Sequence, residues 1–252
     1  MADMVIVEPP SWKKGVAELI GTFALIYIGV MVLVATPGRL LVEVALAHAI
    51  ILGVMVSALM SISGGQFNPA VTLGLLVGRK ITLQQSIVNW VFQLAGGVLG
   101  GLLAKWSVGG ASIAGGIPNL APGVTMTQGI LIETIATFFL VTVVYGTAVD
   151  PRFGGRLGGL AIGLTIGADI MAVGPLTGAS MNTARWLGPA ITDGAYWNAL
   201  SAAGRTGAVI GTHLIGPLLG ALIAGVLWSY VLLDEPRPHP EPQAQMRAKG
   251  NP

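Results

Sequence analysis

Ser63-Gly64-Gly65-Gln66-Phe67-Asn68-Pro69-Ala70-Val71-Thr72 recurs as Thr177-Gly178-Ala179-Ser180-Met181-Asn182-Thr183-Ala184-Arg185, at a constant offset of 114 residues (182 − 68, 177 − 63). Each copy is a glycine-bearing run, an Asn, and an apolar stretch too short to cross a bilayer. Paired broken segments in corresponding places of two halves point to a transport site at mid-membrane. The second copy carries Thr183 in place of proline and Arg185 in place of valine.

Composition places these copies in an integral membrane protein. Charged residues are 10% and apolar residues 53% of 252, and mean hydropathy is +0.77, against about 25% charged residues in a soluble domain. The net charge of +2 arises at the flanks, without a basic patch interleaved with aromatics, so nucleic-acid binding has no support. Cysteine is absent, which excludes a disulfide, a thiolate metal site and a cysteine nucleophile. No nucleophile, base and orienter constellation marks an enzyme, and no cofactor is implied. Met1 to Lys14 is polar and has no signal-peptide cleavage pattern, so the first apolar span is expected to remain in the membrane.

Six stretches are long enough to span roughly 30 Å of hydrocarbon: about 16–36, 41–62, 83–104, 127–148, 157–176 and 207–233. An even count puts both termini on one side. Lys13, Lys14, Arg79, Lys80, Arg152, Arg156, Arg237, Arg247 and Lys249 share that side, while Arg39, Lys105 and Arg205 lie opposite, which makes it cytoplasmic. Two short apolar pieces remain, about 69–77 and 183–191, and these are expected to be re-entrant half-helices.

The repeat extends outward. Glu18-Leu-Ile-Gly-Thr22-Phe23 matches Glu133-Thr-Ile-Ala-Thr137-Phe138 at an offset of 115, and Gly74 matches Gly188 at 114. Three spans per half is an odd number, so the halves enter from opposite faces as inverted repeats, about 16–105 and 127–233. The expected organisation is a cytoplasmic N-terminus (1–15), a channel domain (16–233) and a proline-rich disordered cytoplasmic tail (234–252).

Backbone without helical hydrogen bonds is tolerated at membrane depth only where it is buried in protein or lines a watery cavity. The loops therefore imply a pore. Their glycines let the carbonyls of Gly64, Gly65, Gln66 and Phe67, and of Gly178, Ala179, Ser180 and Met181, face the lumen as acceptors. Asn68 and Asn182 are expected to cap the half-helices and leave their amide NH₂ groups for a permeant molecule. Pro69, Ala70, Thr183 and Ala184 complete the central constriction. The converging helix N-termini oppose cations. Glu18 and Glu133 are expected to accept from loop N–H groups rather than relay protons.

These loops resemble the signature loops of the aquaporin, or major intrinsic protein, family. Gln93 and Gly216-Pro217 extend the match to nearly the whole chain. The resemblance implies an all-α membrane fold of six helices and two half-helices, homotetramers in the lipid bilayer with one pore per subunit, and passive conduction of water and small neutral solutes. It also implies a filter, carried over by position, of His48, Ile170, Ala179 and Arg185. Water-selective members usually place Phe, His, a small residue and Arg there. The His, Ile, Ala and Arg set looks like the tonoplast intrinsic proteins, which pass water and often ammonia and urea, as do Ala148-Val-Asp150-Pro151 and the segment Gly163 to Pro175. A neutral His48 beside the Arg185 cation would offer a donor or acceptor and let ammonia pass.

Rival readings have their own marks. A glycerol facilitator is expected to carry Asp after the filter Arg, where Trp186 stands. An ion-coupled transporter needs titrating groups at the midplane. A structural family member would conduct poorly. The membrane implied is the plasma membrane in a prokaryote and the vacuolar membrane in a plant. Asp169 beside Ile170 has no partner legible in sequence, His213 is expected at the membrane interface, and the outer segment Asp193 to Arg205 is longer than its counterpart. No His lies between Trp106 and Thr127.

Overall fold

The computed structural model describes residues 8–36, 38–153 and 157–233, so the expected tail and most of the expected N-terminal segment lie outside the described residues. In chain order the helices are α1 (Ser11–Val34), α2 (Leu41–Ser63), α3 (Pro69–Val77), α4 (Leu83–Ser107), α5 (Met126–Val144), α6 (Gly158–Thr177), α7 (Thr183–Thr192), α8 (Gly194–Ala202) and α9 (Thr206–Leu227). A turn of π-helix prolongs α5 to Val149 and α9 to Leu232. Six of these are long and apolar enough to cross a membrane, and α3 and α7 are the two short pieces after the repeated Asn residues. The fold is all-α, with no strand among the described residues. The first span starts at Ser11 rather than near 16, because Trp12, Lys13 and Lys14 form its polar first turn, suited to a membrane interface.

The repeated sequence writes a repeated backbone. α2 stops at Gly64 (φ 91°) and α6 at Gly178 (φ 79°), both left-handed caps for which glycine carries no Cβ penalty. The next pair, Gly65 (φ 62°) and Ala179 (φ 44°), and then Phe67 (φ 47°) and Met181 (φ 50°), are also left-handed. Only the glycines announced this. Asn68 and Asn182 then cap α3 and α7, each Oδ1 accepting the N–H two residues on, at 2.8 and 2.9 Å. Pro69 fills the first helical position of α3, and Thr183 takes its place in α7 without disturbing the cap.

Each half-helix rests on the third span of the other half, α3 on α9 and α7 on α4, while α2 against α6 joins the halves. A Cβ on Gly188 would stand 2.4 Å from the Gly97 backbone, and one on Gly225 would stand 2.4 Å from the Gly74 carbonyl oxygen. Such close approach is how helices associate where lipid removes the hydrophobic drive between them.

Beyond α7, Asp193 caps α8 through Oδ1, which accepts from the N–H groups of Ala195 (3.0 Å) and Tyr196 (3.4 Å). Its Oδ2 accepts from Ser112 Oγ (2.8 Å) and the Ile113 N–H (2.5 Å). Burial alone raises this carboxyl, but those bonds with Lys105 nearby hold it below the usual carboxylate range. A depressed folded-state pKa stabilises above the unfolded value, and the contribution is lost as pH falls through the folded one. Asp193→Asn is therefore expected to cost about 1–2 kcal/mol at neutral pH. Thermal unfolding of both proteins against pH should show the gap closing below about pH 4.

Candidate functional site: the facing half-helix ends and the outer ring

Two buried carboxylates hold the loops. Glu18 accepts from Ser63 Oγ (2.6 Å), the N–H groups of Gln66 (3.0 Å) and Phe67 (2.6 Å), and Gln93 Nε2 (2.8 Å). Glu133 repeats the pattern with Thr177 Oγ1 (2.7 Å) and the N–H groups of Ser180 (2.9 Å) and Met181 (2.7 Å). The loop N–H groups so engaged have left the helical ladder and are buried, so the carboxylates serve as their acceptors.

At the centre the two Asn residues do more than cap. Asn68 Nδ2 donates to the Met181 carbonyl (2.8 Å) and Asn182 Nδ2 to the Phe67 carbonyl (2.9 Å). This exchange pins the N-terminal ends of α3 and α7 against each other. It corrects the expectation of free amides in two ways: one hydrogen of each NH₂ is already engaged, and so are two of the eight expected lumen carbonyls. The cavity beside this junction, bounded by Asn68, Asn182, Leu52, Leu140, Val144 and Ile166, holds about 20 Å³, room for about one water.

Toward the end of the bundle where α1 connects to α2 lies a cavity of about 360 Å³ whose lining includes Ile170, Gly178, Arg185 and residues 114–118. Arg185 Nη2 meets His48 Nε2 at 3.1 Å, and His48 Nδ1 meets the Val44 carbonyl at 2.8 Å. Val44 O accepts only, so Nδ1 carries the proton, and Nε2 is the acceptor that receives Arg185. His48 is thus neutral but has no ring nitrogen to spare. Among His48, Ile170, Ala179 and Arg185, the buried side-chain polar atom left without a protein partner is Arg185 Nη1. His48, expected to offer a donor or acceptor to the solute, instead has both nitrogens engaged and holds Arg185 in place. Ala179 is fully buried, its N–H donating to Thr177 Oγ1 at 3.1 Å.

Sequence reading missed one residue here. His213, expected at the interface, is fully buried within α9, its ring 5.7 Å from Trp186 in a stacked pair and its Nδ1 3.8 Å from Glu133. It stands where the first half has Asn89, a correspondence that emerges only once Gly220 is seen to pack on Thr134 as Gly96 packs on Leu19. Asp169, next to Ile170, leaves Oδ2 buried without a hydrogen-bond partner. Among the described residues no group of three His, Asp or Glu is placed to hold a metal ion.

Six spanning helices around two capped half-helices, meeting end to end beside a cavity with room for about one water, define a transmembrane channel rather than an enzyme. Residues 5–228 match the family described as Major intrinsic protein. Probable aquaporin TIP3-2 of Arabidopsis thaliana is 37% identical over 92% of this chain and 89% of its own length. Aquaporin TIP1-2 of Zea mays is 39% identical over 92% and 90%. The aquaglyceroporin structure from Plasmodium falciparum superposes with a TM-score of 0.72 at 20% identity, covering 88% of this chain and 97% of that one, a likeness of fold alone. The chain belongs to the major intrinsic protein family, the aquaporins, and is a multi-pass membrane channel of the water-channel type.

Proposed function

We propose that this protein is a passive channel for water and ammonia, with slower passage of urea, that excludes protons and other ions. The observation that carries this reading is the outer ring. Ile170 gives it an apolar wall, and the fixed Arg185 gives it a donor and a positive charge. A small neutral molecule can exchange its hydration for Arg185 Nη1 and then for the second hydrogens of Asn68 and Asn182. A cation meets Arg185 first and then the two positive helix ends, each worth roughly half a charge. Trp186, in place of the Asp expected of a glycerol facilitator, supports the water and ammonia reading. The family resemblance supports a homotetramer, and the Lys and Arg asymmetry supports cytoplasmic termini. The plant relatives support a vacuolar membrane in a plant host; a prokaryotic host offers its plasma membrane.

Shrinkage assays in proteoliposomes with water, urea, glycerol and methylammonium test the reading directly. Water flux no higher than in protein-free vesicles would sink it. His48→Phe adds a sharper outcome. Losing the acceptor of a charged hydrogen bond, worth about 1.5 kcal/mol or more, releases the guanidinium into the lumen. Ammonia flux, read as internal alkalinisation, is then expected to fall roughly tenfold. Unchanged ammonia and water fluxes would remove His48 from the selectivity mechanism.

A further inference from the structure

Trp186 follows Arg185 directly, and its environment departs from the repeat. In the first half the equivalent position is Thr72, whose hydroxyl joins a polar network with Gln66 and Gln93. In the second half the indole stacks on His213 and meets Trp197 edge-on at 6.0 Å. Its Nε1 donates to Tyr196 Oη at 3.0 Å, and Tyr196 Oη donates onward to the Pro118 carbonyl at 2.8 Å. Tyr196 comes from α8, the longer outer segment that has no counterpart in the first half.

Pro118 is part of the outer cavity wall. Residues 114–119 line that cavity together with Ile170 and Arg185. Pro118 also sits directly on the filter loop, since a Cβ on Gly178 would stand 2.7 Å from its Cα. The segment is tied at its other end by Asp193, through Ser112 and Ile113. Just past it the Ala121 N–H donates to the Leu176 carbonyl at 2.9 Å and Arg205 Nη2 donates to the Ala121 carbonyl at 3.0 Å; at Pro118 itself the side-chain tie to the rest of the fold is the phenol of Tyr196. That phenol is 2% exposed, and burial pushes its pKa up to about 12, so it remains a donor throughout the working pH range.

We propose that Tyr196 is a positioning residue for selectivity: through the Trp186–Tyr196–Pro118 relay, α8 holds the 112–119 segment against the filter loop and sets the width of the mouth above Arg185. The solutes it discriminates against are neutral polar molecules larger than water, such as urea and glycerol. This rests on the channel reading above. Water fits a mouth of either width, so the relay acts on the ratio of solute to water permeability and leaves water flux itself nearly constant.

Tyr196→Phe removes the donor and keeps the ring. In proteoliposomes, stopped-flow water flux is expected to stay within about twofold of the parent. The urea-to-water and glycerol-to-water ratios are expected to rise about threefold to tenfold, the scale of one buried hydrogen bond. A role in folding alone would lower all fluxes together and leave the ratios unmoved. Ser112→Ala loosens the same segment from its other tie and serves if Tyr196→Phe fails to fold; the same ratios should rise. Ratios unchanged in a folded, water-conducting variant overturn the proposal while leaving the channel reading intact. A parent without water flux above empty vesicles overturns both.

Discussion

Glu133→Leu is expected to abolish the folded channel, not merely to slow it. The leucine would fill much of the same space but leave Thr177 Oγ1 and the N–H groups of Ser180 and Met181 without an acceptor, in a place water does not reach. Each orphaned buried donor costs about 1–3 kcal/mol, so three of them rival a total stability of about 5–15 kcal/mol. The loop also carries Ala179 and Met181 in the left-handed region, at φ 44° and 50°. Non-glycine residues hold such angles, at about 1–3 kcal/mol each, only while the surroundings enforce them. Glu133 is that enforcement. Glu133→Gln keeps one acceptor oxygen but turns an NH₂ toward the remaining donors, so it is expected to fold with a lower melting temperature and reduced water flux. Size-exclusion profiles and thermal melts in detergent, with water flux in proteoliposomes, decide the matter. A proton relay would give the opposite pattern, intact folding with altered coupling to a pH gradient. A folded Glu133→Leu protein with parental water flux would remove the loop-holding role.

What the sequence reveals and conceals here follows from the range of each interaction. The bounds of α3 are legible because Asn68 and Pro69 are local signals for a helix start, and the six spans are legible because hydropathy is a property of one segment at a time. The pairing of Glu18 and Glu133 with their loops is legible through the repeat, since both carboxylates and both loops recur at nearly the same offset. His213 is not. A single His early in an apolar span looks interfacial, and only the stacking on Trp186 and the packing of α9 on α5 place it in the interior. Sequence alone leaves the Asn amides to the lumen because capping uses only their oxygens; the exchange with Phe67 and Met181 requires the two half-helix ends to touch. The role of His48 changes for the same reason, since whether its Nε2 faces solute or Arg185 depends on a contact across 137 positions of chain. α8 is a nine-residue helix in an outer connection and has no long apolar pattern to announce it.

Arg185→Ala is the substitution expected to change solute choice most. The guanidinium is 7% exposed, tethered by Nη2 to His48 and unpartnered at Nη1, so truncation removes both the widest side chain of the ring and its only full charge. Neutral solutes respond to width. A mouth that lets urea keep one more hydrogen-bonded water lowers its barrier by about 1.4 kcal/mol, a rise in urea flux of roughly tenfold. Cations respond to charge: at about 5 Å and an effective dielectric of about 20, one unit charge repels another by about 3 kcal/mol, on the order of a hundredfold in passage. That gain will not appear in full. The N-terminal ends of α3 and α7, pinned together by the Asn68 and Asn182 bonds, carry roughly one unit charge between them and stand as a second barrier in series. A cation freed at the ring still stops at the centre. Arg185→Ala should therefore pass urea about tenfold faster while proton and cation leak, read by a pH dye and by tracer uptake, increases by a smaller factor. Unchanged urea flux would exclude the ring as the size filter. A cation gain larger than the urea gain would place the main ion barrier at Arg185 and reduce the two converging half-helices to a scaffold for the passage between them.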